Sequence, residues 1–185
     1  MSSTLDGIEK VDAPTTALHD FKQLTKVGLS LSVVFSSVAG YLLGAEEVQL
    51  TTLLLLALGG YLMVGASNAF NQVIEKDTES LLKRTQNLPI PKGRMSVATA
   101  LSIAVAFALV GIGILYAINP KSALFGAVSI FLYACVYTPL KPITPLAVFV
   151  GAFPGAIPFM LGWVAATNHF GIEAGTLFLI QFFWQ

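Results

Sequence analysis

Five apolar runs, each about long enough to cross a lipid bilayer, constrain the fold of this chain more than any other feature. About 20 helical residues are needed to span roughly 30 Å of hydrocarbon. The runs are Leu24–Gly44, Leu50–Val73, Val97–Ile118, Ser122–Leu140 and Pro145–Ala166. A sixth run begins near Ala174 and is too short to span. Because backbone groups in lipid must bond within their own helix, the sequence predicts an all-α membrane protein, a multi-helix transmembrane bundle of five full spans plus the start of a sixth.

The placement of the charged residues predicts the orientation of this bundle. Ten Lys/Arg balance ten Asp/Glu, so the net charge indicates no nucleic-acid partner. With the N-terminus in the cytoplasm, nine basic residues lie inside and only Lys121 lies outside, in keeping with the positive-inside rule. The long connection Ile74–Ser96 and the turn at Lys141 are then cytoplasmic. Residues 1–20 lack the basic start and apolar core of a secretory signal, which predicts a polar cytoplasmic tail (1–20) before a transmembrane domain (21–185).

Polar side chains continue from the second span into the long cytoplasmic connection. Four of them share one face of a continuous helix: Asn68, Asn71, Glu75 and Glu79. They fall within an arc of roughly 80°, because each helical residue turns the chain by about 100°. Two carboxylates stacked four residues apart repel each other unless a cation lies between them. Mg²⁺ takes carboxylate and amide oxygens and also holds phosphate oxygens, so this face predicts a magnesium site.

Asp77 and a group of basic residues lie beside this face. Asp77 points to the opposite side of a continuous helix, so it joins the acids only where the helix unwinds near Glu75. The cations that can complement a diphosphate are Lys83, Arg84, Lys92 and Arg94. A loop of mixed charge can also be a solvated face whose Lys and Arg only fix the topology. Two asparagines at membrane depth that lead directly into the acids favour the binding site.

Two segments resemble motifs of the UbiA-type intramembrane prenyltransferases. Asn71 to Glu79, with acids four and eight positions after the asparagine, resembles the first Asp-rich motif of that family. Tyr137-Thr138-Pro139-Leu140-Lys141 resembles its Tyr-x-x-x-Lys motif. Further segments resemble the protoheme IX farnesyltransferase (heme O synthase) branch: Leu24-Thr25-Lys26, the stretch from Lys83 to Arg94, and Gly151 to Ala156 with Gly162-Trp163. The resemblance extends over nearly the whole chain from His19 onward.

The resemblance implies the N-terminal part of a fold of about nine membrane-spanning helices, whose second Asp-rich motif this sequence does not reach. We therefore expect an incomplete prenyltransferase domain in the cell inner membrane. The implied reaction is Mg²⁺-dependent transfer of a farnesyl group from farnesyl diphosphate to a vinyl group of heme b, giving heme O on the route to heme A and terminal oxidases. Implied partners are farnesyl diphosphate, heme b, membrane lipid, and heme A synthase or oxidase assembly proteins.

The resemblance also implies a role for each candidate site residue. The metal ligands would be Asn71, Glu75, Asp77 and Glu79. The diphosphate would be bound by Lys83, Arg84, Arg94, Tyr137 and Lys141. The residues with catalytic roles would be Asn71, Glu75, Glu79 and Lys141.

The chain departs from the family pattern at several positions, and other functions stay open. Glu79 stands where the family prefers Asp, Leu88 where Arg is common, and Val27-Gly28 where Pro-Arg is usual. Glu also ligates Mg²⁺, whereas Leu88 removes one cation from the site. One alternative is a related enzyme with a quinone precursor, a chlorin or a glycerol lipid as acceptor. A second is an inactive membrane fragment. A small transporter is disfavoured because the spans carry almost no charge.

Overall fold

The computed structural model describes residues 16–185, and every regular element in that range is helical. Five helices are long and apolar enough to cross a membrane: α2 (Val27–Gly44), α3 (Leu50–Ile74), α5 (Val97–Ile118), α6 (Pro120–Leu140) and α7 (Leu146–Thr167). Three shorter helices complete the described chain: α1 (Ala17–Leu24), α4 (Lys76–Leu81) and α8 (Ile172–Trp184). The predicted all-α, multi-pass membrane architecture is confirmed, with spans close to those expected from the apolar runs.

The first span begins three residues later than the sequence suggests. Lys26 has a left-handed backbone conformation with φ of 46°, which ends α1 at Leu24 and starts α2 at Val27. The fourth span begins two residues earlier, at Pro120. The Asn119 side chain accepts a 2.8 Å hydrogen bond from the Ser122 amide and caps the helix. Proline is tolerated in the first helical turn because its missing N–H would have no partner there.

Residues 1–15 of the predicted cytoplasmic tail lie outside the residues that the structure describes. Its last residues form the start of α1, where the Thr16 side chain accepts a hydrogen bond from the His19 amide. Arg94, at the end of the long connection, binds α1 through Asp20, with Nε 2.8 Å from Oδ1. This contact fixes the connection between α4 and α5 against the first helix.

Close approaches at glycine hold the spans together. A Cβ atom on Gly40 would overlap the Phe159 carbonyl group, and one on Gly162 would overlap the backbone at Ser37, so α2 and α7 pack backbone to backbone. Without a hydrophobic effect between helices in lipid, such contacts at small residues provide the packing that stabilises a bundle. The main buried cluster joins several spans through Tyr41, Leu56, Met63, Leu115, Met160, Leu161 and Val164.

The polar ends of three spans converge on one side of the bundle. The start of α2 at Lys26 and the end of α3 at Asn71 meet through a side-chain hydrogen bond, and Thr138 near the end of α6 contacts Asn71 as well. The opposite side carries only short turns, where the Tyr41 hydroxyl binds the backbone of Gln49 and Lys121 binds the carbonyl of Asn168. The candidate site therefore lies at the end that also carries the long connection.

Candidate active site

A break between α1 and α2 brings a lysine to the end of α3. Side chains of α3 bind the carbonyl groups at this break: Asn68 Nδ2 donates to Thr25 O over 3.2 Å, and Gln72 Nε2 donates to Gln23 O and Leu24 O over 3.0 Å each. These bonds satisfy buried polar groups that would otherwise be costly. Asn68, which the helical pattern placed on the metal-binding face, therefore supports the backbone beside the site.

Asn71 lies at the centre of the site and is buried. Its Nδ2 donates to Glu75 Oε2 over 2.9 Å and to Thr138 Oγ1 over 3.2 Å. Its Oδ1 accepts a 3.4 Å hydrogen bond from Lys26 Nζ. One amide thus connects α3, α6 and the start of α2.

Glu75 occupies a break in the helix rather than the middle of one. α3 ends at Ile74, Glu75 has φ of −90° and ψ of 6°, and α4 begins at Lys76. Lys141 Nζ, from the turn after α6, lies 3.0 Å from each carboxylate oxygen of Glu75. The unwinding near Glu75 that would recruit Asp77 is present, but Asp77 remains 89% exposed and pairs with Lys76 at 3.6 Å. Asp77 is therefore not brought into the cluster.

Glu79 is a buried carboxylate with an oxygen that has no hydrogen-bond partner. It is 5% exposed, and its Oε2 is the unpartnered atom. Burial raises the pKa of Glu79 above its ordinary value, an effect that the positive charge of Lys26 partly offsets. Burial likewise lowers the pKa of Lys26, while Glu79 opposes that change. Burial thus removes part of the solvation of the charged forms of both Glu79 and Lys26.

A wide helical turn in α6 positions the Tyr-x-x-x-Lys segment. Residues Leu132–Tyr137 are π-helical, and Thr138 Oγ1 donates to Tyr133 O over 2.7 Å. The rings of Tyr133 and Tyr137 lie 5.3 Å apart, and Lys141 Nζ lies 5.9 Å from the centre of the Tyr137 ring. Gly151 lets the Tyr137 ring pack against its backbone, since a Cβ atom on Gly151 would lie 2.8 Å from that ring. Single π-helical turns within α-helices are frequent at functional sites.

An apolar cavity extends from this cluster into the bundle. It has a volume of about 340 Å³, and its wall includes Val33, Val64, Asn68, Tyr133, Tyr137 and Pro158. The polar cluster and the cavity therefore share Tyr137 and adjacent residues of α3. Such an arrangement fits a substrate with a charged head and an apolar chain.

The remaining predicted cations differ in their surroundings. Arg84 is exposed, and its charge acts on both Glu79 and Lys26. Lys83 is exposed, and within residues 16–185 no side-chain contact joins it to the cluster. Arg94 is held away from the acids by Asp20, Gln23 and the carbonyl of Asn87.

The structure adds two residues that sequence reasoning did not assign to the site, Lys26 and Thr138. Lys26 belonged to a segment that resembles the family, but nothing in its spacing indicated that it reaches α3. Thr138 lies inside the Tyr-x-x-x-Lys segment, where only the tyrosine and lysine were considered.

The donor atoms present fit a hard divalent cation. Asn71, Glu75 and Glu79 supply amide and carboxylate oxygens, and the unpartnered Glu79 Oε2 is a buried acceptor to which a cation can bind. Within the described residues no group of three His, Cys, Asp or Glu side chains could hold a metal alone. Mg²⁺ commonly completes its octahedral shell with water and substrate phosphate oxygens, so a partial protein ligand set is sufficient.

Carboxylates and lysines thus gather at one end of the helical bundle, and Tyr137 lies beside both Lys141 and the apolar cavity. The family model for the UbiA prenyltransferase family matches residues 33–185, and the chain belongs to this family.

Three curated relatives of this chain are named protoheme IX farnesyltransferase. A protoheme IX farnesyltransferase of Flavobacterium psychrophilum is 71% identical over 98% of this chain, and the match covers 61% of that relative. A protoheme IX farnesyltransferase of Flavobacterium johnsoniae is 66% identical over 90% of this chain and 56% of its own length. The human mitochondrial protoheme IX farnesyltransferase is 38% identical over 88% of this chain and 37% of its own length. The chain therefore spans little more than half the length of its bacterial relatives.

Solved structures confirm the fold. A UbiA homolog from Archaeoglobus fulgidus bound to DMAPP and Mg²⁺ superposes with a TM-score of 0.72 at 17% identity, covering 89% of this chain and 61% of that one. A digeranylgeranylglyceryl phosphate synthase superposes with a TM-score of 0.80 at 17% identity, covering 89% of this chain and 58% of that one. At this identity the likeness concerns the helical architecture.

Proposed function

We propose that this chain is the N-terminal part of a protoheme IX farnesyltransferase, which transfers a farnesyl group from farnesyl diphosphate to heme b and so forms heme O. The observation that carries the proposal is the buried, unpartnered Glu79 carboxylate, which interacts electrostatically with Lys26 and Glu75 near an apolar cavity lined by Tyr137. The 71% identity to a curated protoheme IX farnesyltransferase supports the choice of reaction within the family.

The proposal assigns a role to each residue of the polar cluster. Asn71, Glu75 and Glu79 would hold Mg²⁺, which would supply positive charge to the diphosphate oxygens when bound. Lys26, Arg84 and Lys141 neutralise the rest of the developing charge on the leaving diphosphate. Lys83 and Arg94 were predicted to do the same. The exposure of Lys83 and the contacts of Arg94 with α1 favour peripheral roles for both. The exposure of Asp77 likewise favours a role outside the metal shell.

The apolar cavity is suited to the carbocation step. The C–O electron pair leaves with the diphosphate, and the allylic cation then takes the π electrons of a heme vinyl group to form the new C–C bond. Water adds to the cation left on the heme side chain and releases a proton. Tyr133 and Tyr137 line the chamber and shield the allylic cation from premature capture by water.

The remaining parts of the proposal concern the membrane. The bias of nine basic residues to one side supports a bundle in the cell inner membrane with the N-terminus and the site in the cytoplasm, residues 1–20 forming a tail and residues 21–185 a transmembrane domain. Heme A synthase and oxidase assembly proteins are the partners that a heme O product implies. The alternatives are another acceptor and an inactive fragment.

The test compares two proteins in liposomes: this 185-residue chain, and a chimera that joins it to the C-terminal part of the Flavobacterium psychrophilum relative. Heme O formed from heme b and farnesyl diphosphate is measured by mass spectrometry with and without Mg²⁺. We expect Mg²⁺-dependent product from the chimera, lost in its Glu75→Gln and Glu79→Gln variants. Product only with a quinone precursor or a glycerol lipid would replace the proposed acceptor. No product with any acceptor would refute the enzymatic proposal.

A further inference from the structure

Oxygens of Asn71 and Glu75 that would bind the metal already accept hydrogen bonds from lysines, and Glu75 Oε2 also accepts one from Asn71 Nδ2. Both carboxylate oxygens of Glu75 lie 3.0 Å from Lys141 Nζ. Asn71 Oδ1 accepts from Lys26 Nζ over 3.4 Å. Only Glu79 Oε2 among these acceptors is buried without a partner. In the described chain, the site therefore holds two ammonium groups where a divalent cation would be coordinated.

A metal ion and these ammonium groups compete for the same oxygens. An Mg²⁺ ligand lies at about 2.1 Å from the ion, which would place an ammonium bonded to that oxygen within roughly 5 Å of a double positive charge. Like charges at that distance repel strongly in a partly buried site. Metal binding therefore favours movement of Lys141 away from Glu75 and of Lys26 away from Asn71.

The displaced lysines have flexible stems and need a new anionic partner. Lysine carries its charge on four methylene groups and binds phosphate oxygens as a point charge. Lys141 is 47% exposed at the end of α6, so its stem can move without disturbing the core. Because the two lysines contact the ligand set from different helices, a diphosphate bound to the metal would lie within reach of both.

We propose that Lys141 and Lys26 are exchange cations: they hold the metal-binding oxygens of Glu75 and Asn71 in the unliganded protein and transfer to the diphosphate when the metal binds. This inference rests on the proposed function, because it concerns the same metal and diphosphate site. It predicts that metal alone binds weakly, since it must displace lysines that gain no partner. Diphosphate alone also binds weakly, since Lys141 is engaged by Glu75 and Lys26 by Asn71. Together the two ligands bind cooperatively.

The first experiment measures metal alone. Mn²⁺ replaces Mg²⁺ as an ion visible by electron paramagnetic resonance and is titrated into the 185-residue chain in lipid nanodiscs. We expect Lys141→Met to tighten Mn²⁺ binding by roughly three- to tenfold, because the competing cation is gone. The matched control is Lys76→Met, which removes the same charge from a residue paired with Asp77 and should change the affinity less than twofold. An unchanged or weaker affinity in Lys141→Met, or an equal gain in Lys76→Met, would overturn the exchange.

The second experiment measures the anion alone, with pyrophosphate in metal-free buffer. Glu75→Gln releases Lys141 and should tighten pyrophosphate binding by roughly three- to tenfold, whereas Asp77→Asn removes an equal charge without releasing a lysine and should have a smaller effect. Equal effects of the two variants would mean that pyrophosphate responds only to the loss of a negative charge and not to the release of Lys141. That result would overturn the exchange. Melting curves verify that each variant is folded, and Lys141→Gln replaces any Lys141→Met protein that is not.

The third measurement combines the ligands and separates the two hypotheses. In the wild-type chain, we expect Mn²⁺ and pyrophosphate together to bind more tightly than the product of their separate affinities predicts. That coupling should be weaker in Lys141→Met. Metal binding without coupling would overturn the exchange while leaving the metal site of the proposed function intact. Failure of Mn²⁺ to bind either with or without pyrophosphate would contradict both.

Discussion

Asn71 and Thr138 lie 67 residues apart in sequence and are joined by a 3.2 Å hydrogen bond from Asn71 Nδ2 to Thr138 Oγ1. The same hydroxyl donates to Tyr133 O across the π-helical turn of α6. One buried side chain therefore connects the geometry of α6 to the amide at the centre of the candidate metal site.

This connection predicts the behaviour of two variants of Thr138. Thr138→Val keeps the shape but leaves one Asn71 N–H without a buried acceptor, at a cost of about 1–3 kcal/mol. We expect affinity for pyrophosphate with Mg²⁺ to fall by about tenfold, as measured by calorimetry, because Asn71 no longer holds its orientation. Thr138→Ser keeps the hydroxyl and should bind within about twofold of wild type. Equal binding by the valine and serine variants would show that the hydroxyl does not orient Asn71.

The backbone contact between α2 and α7 predicts a large effect of one methyl group. Gly162→Ala places a Cβ against the Ser37 carbonyl and should destabilise the bundle by about 1–3 kcal/mol. Gly113→Ala is the matched control, since a Cβ at Gly113 meets nothing within 4 Å. Thermal melting in detergent measures both. A similar melting temperature for the two variants would mean that α2 and α7 can separate without loss of stability.

The environment of Glu79 predicts a dependence of stability on pH. Its pKa is raised in the folded protein by burial, so between the ordinary glutamate pKa and that raised value the folded state binds more protons than the unfolded state. Stability of the metal-free protein therefore falls as pH rises through this interval. Glu79→Gln lacks the ionisation, so it should melt at a higher temperature than wild type above the raised pKa and lose that advantage at acidic pH.

The Glu79→Gln variant should also lose its affinity for Mg²⁺. Removal of the carboxylate abolishes the best-placed vacant acceptor, so Mg²⁺ should no longer shift the melting temperature in the presence of pyrophosphate. Asp77→Asn, whose parent side chain is exposed, serves as the control and should retain the shift. A Glu79→Gln protein that melts below wild type at every pH would contradict the assigned cost of burial.

Arg94 distinguishes a structural role from the diphosphate role that the sequence indicated. Its bond to Asp20 is 2.8 Å long and partly buried, so Arg94→Met should lower stability by about 1–3 kcal/mol and make the connection after α4 more sensitive to protease. Arg84→Met, from an exposed position, should leave proteolysis unchanged and weaken pyrophosphate binding. Weaker binding without loss of stability in Arg94→Met would restore Arg94 to the diphosphate site.

The spans were predictable because the bilayer imposes one length on every apolar run. The cluster of Asn71, Glu75 and Glu79 was recognisable because polar groups at the end of an apolar helix are costly unless they are paired or bind a ligand. The sequence also indicated that Asp77 could join the acids only if the helix unwound near Glu75. The helix does unwind there, but the position of Asp77 depends on the rotation of α4, which the local sequence does not determine.

The contribution of Lys26 could not be obtained from periodicity. It depends on a left-handed residue between α1 and α2, and that conformation is stabilised by Asn68 and Gln72 from a distant segment. The helical pattern placed Asn68 on the same face as the predicted metal ligands, because such a pattern gives the direction of a side chain but not its partners. Long-range hydrogen bonds of this kind follow from the packed bundle and not from any stretch of ten residues.

The π-helical turn at Leu132–Tyr137 is equivalent to one residue inserted into an otherwise α-helical span. Deleting a single residue from this turn would restore regular α-helix and rotate everything after it by about 100°. Thr138 would then face away from Asn71, and Lys141 would lose its alignment with Glu75. The helical register of α6 thus determines whether Thr138 and Lys141 face Asn71 and Glu75, and a shift of one residue is enough to separate them.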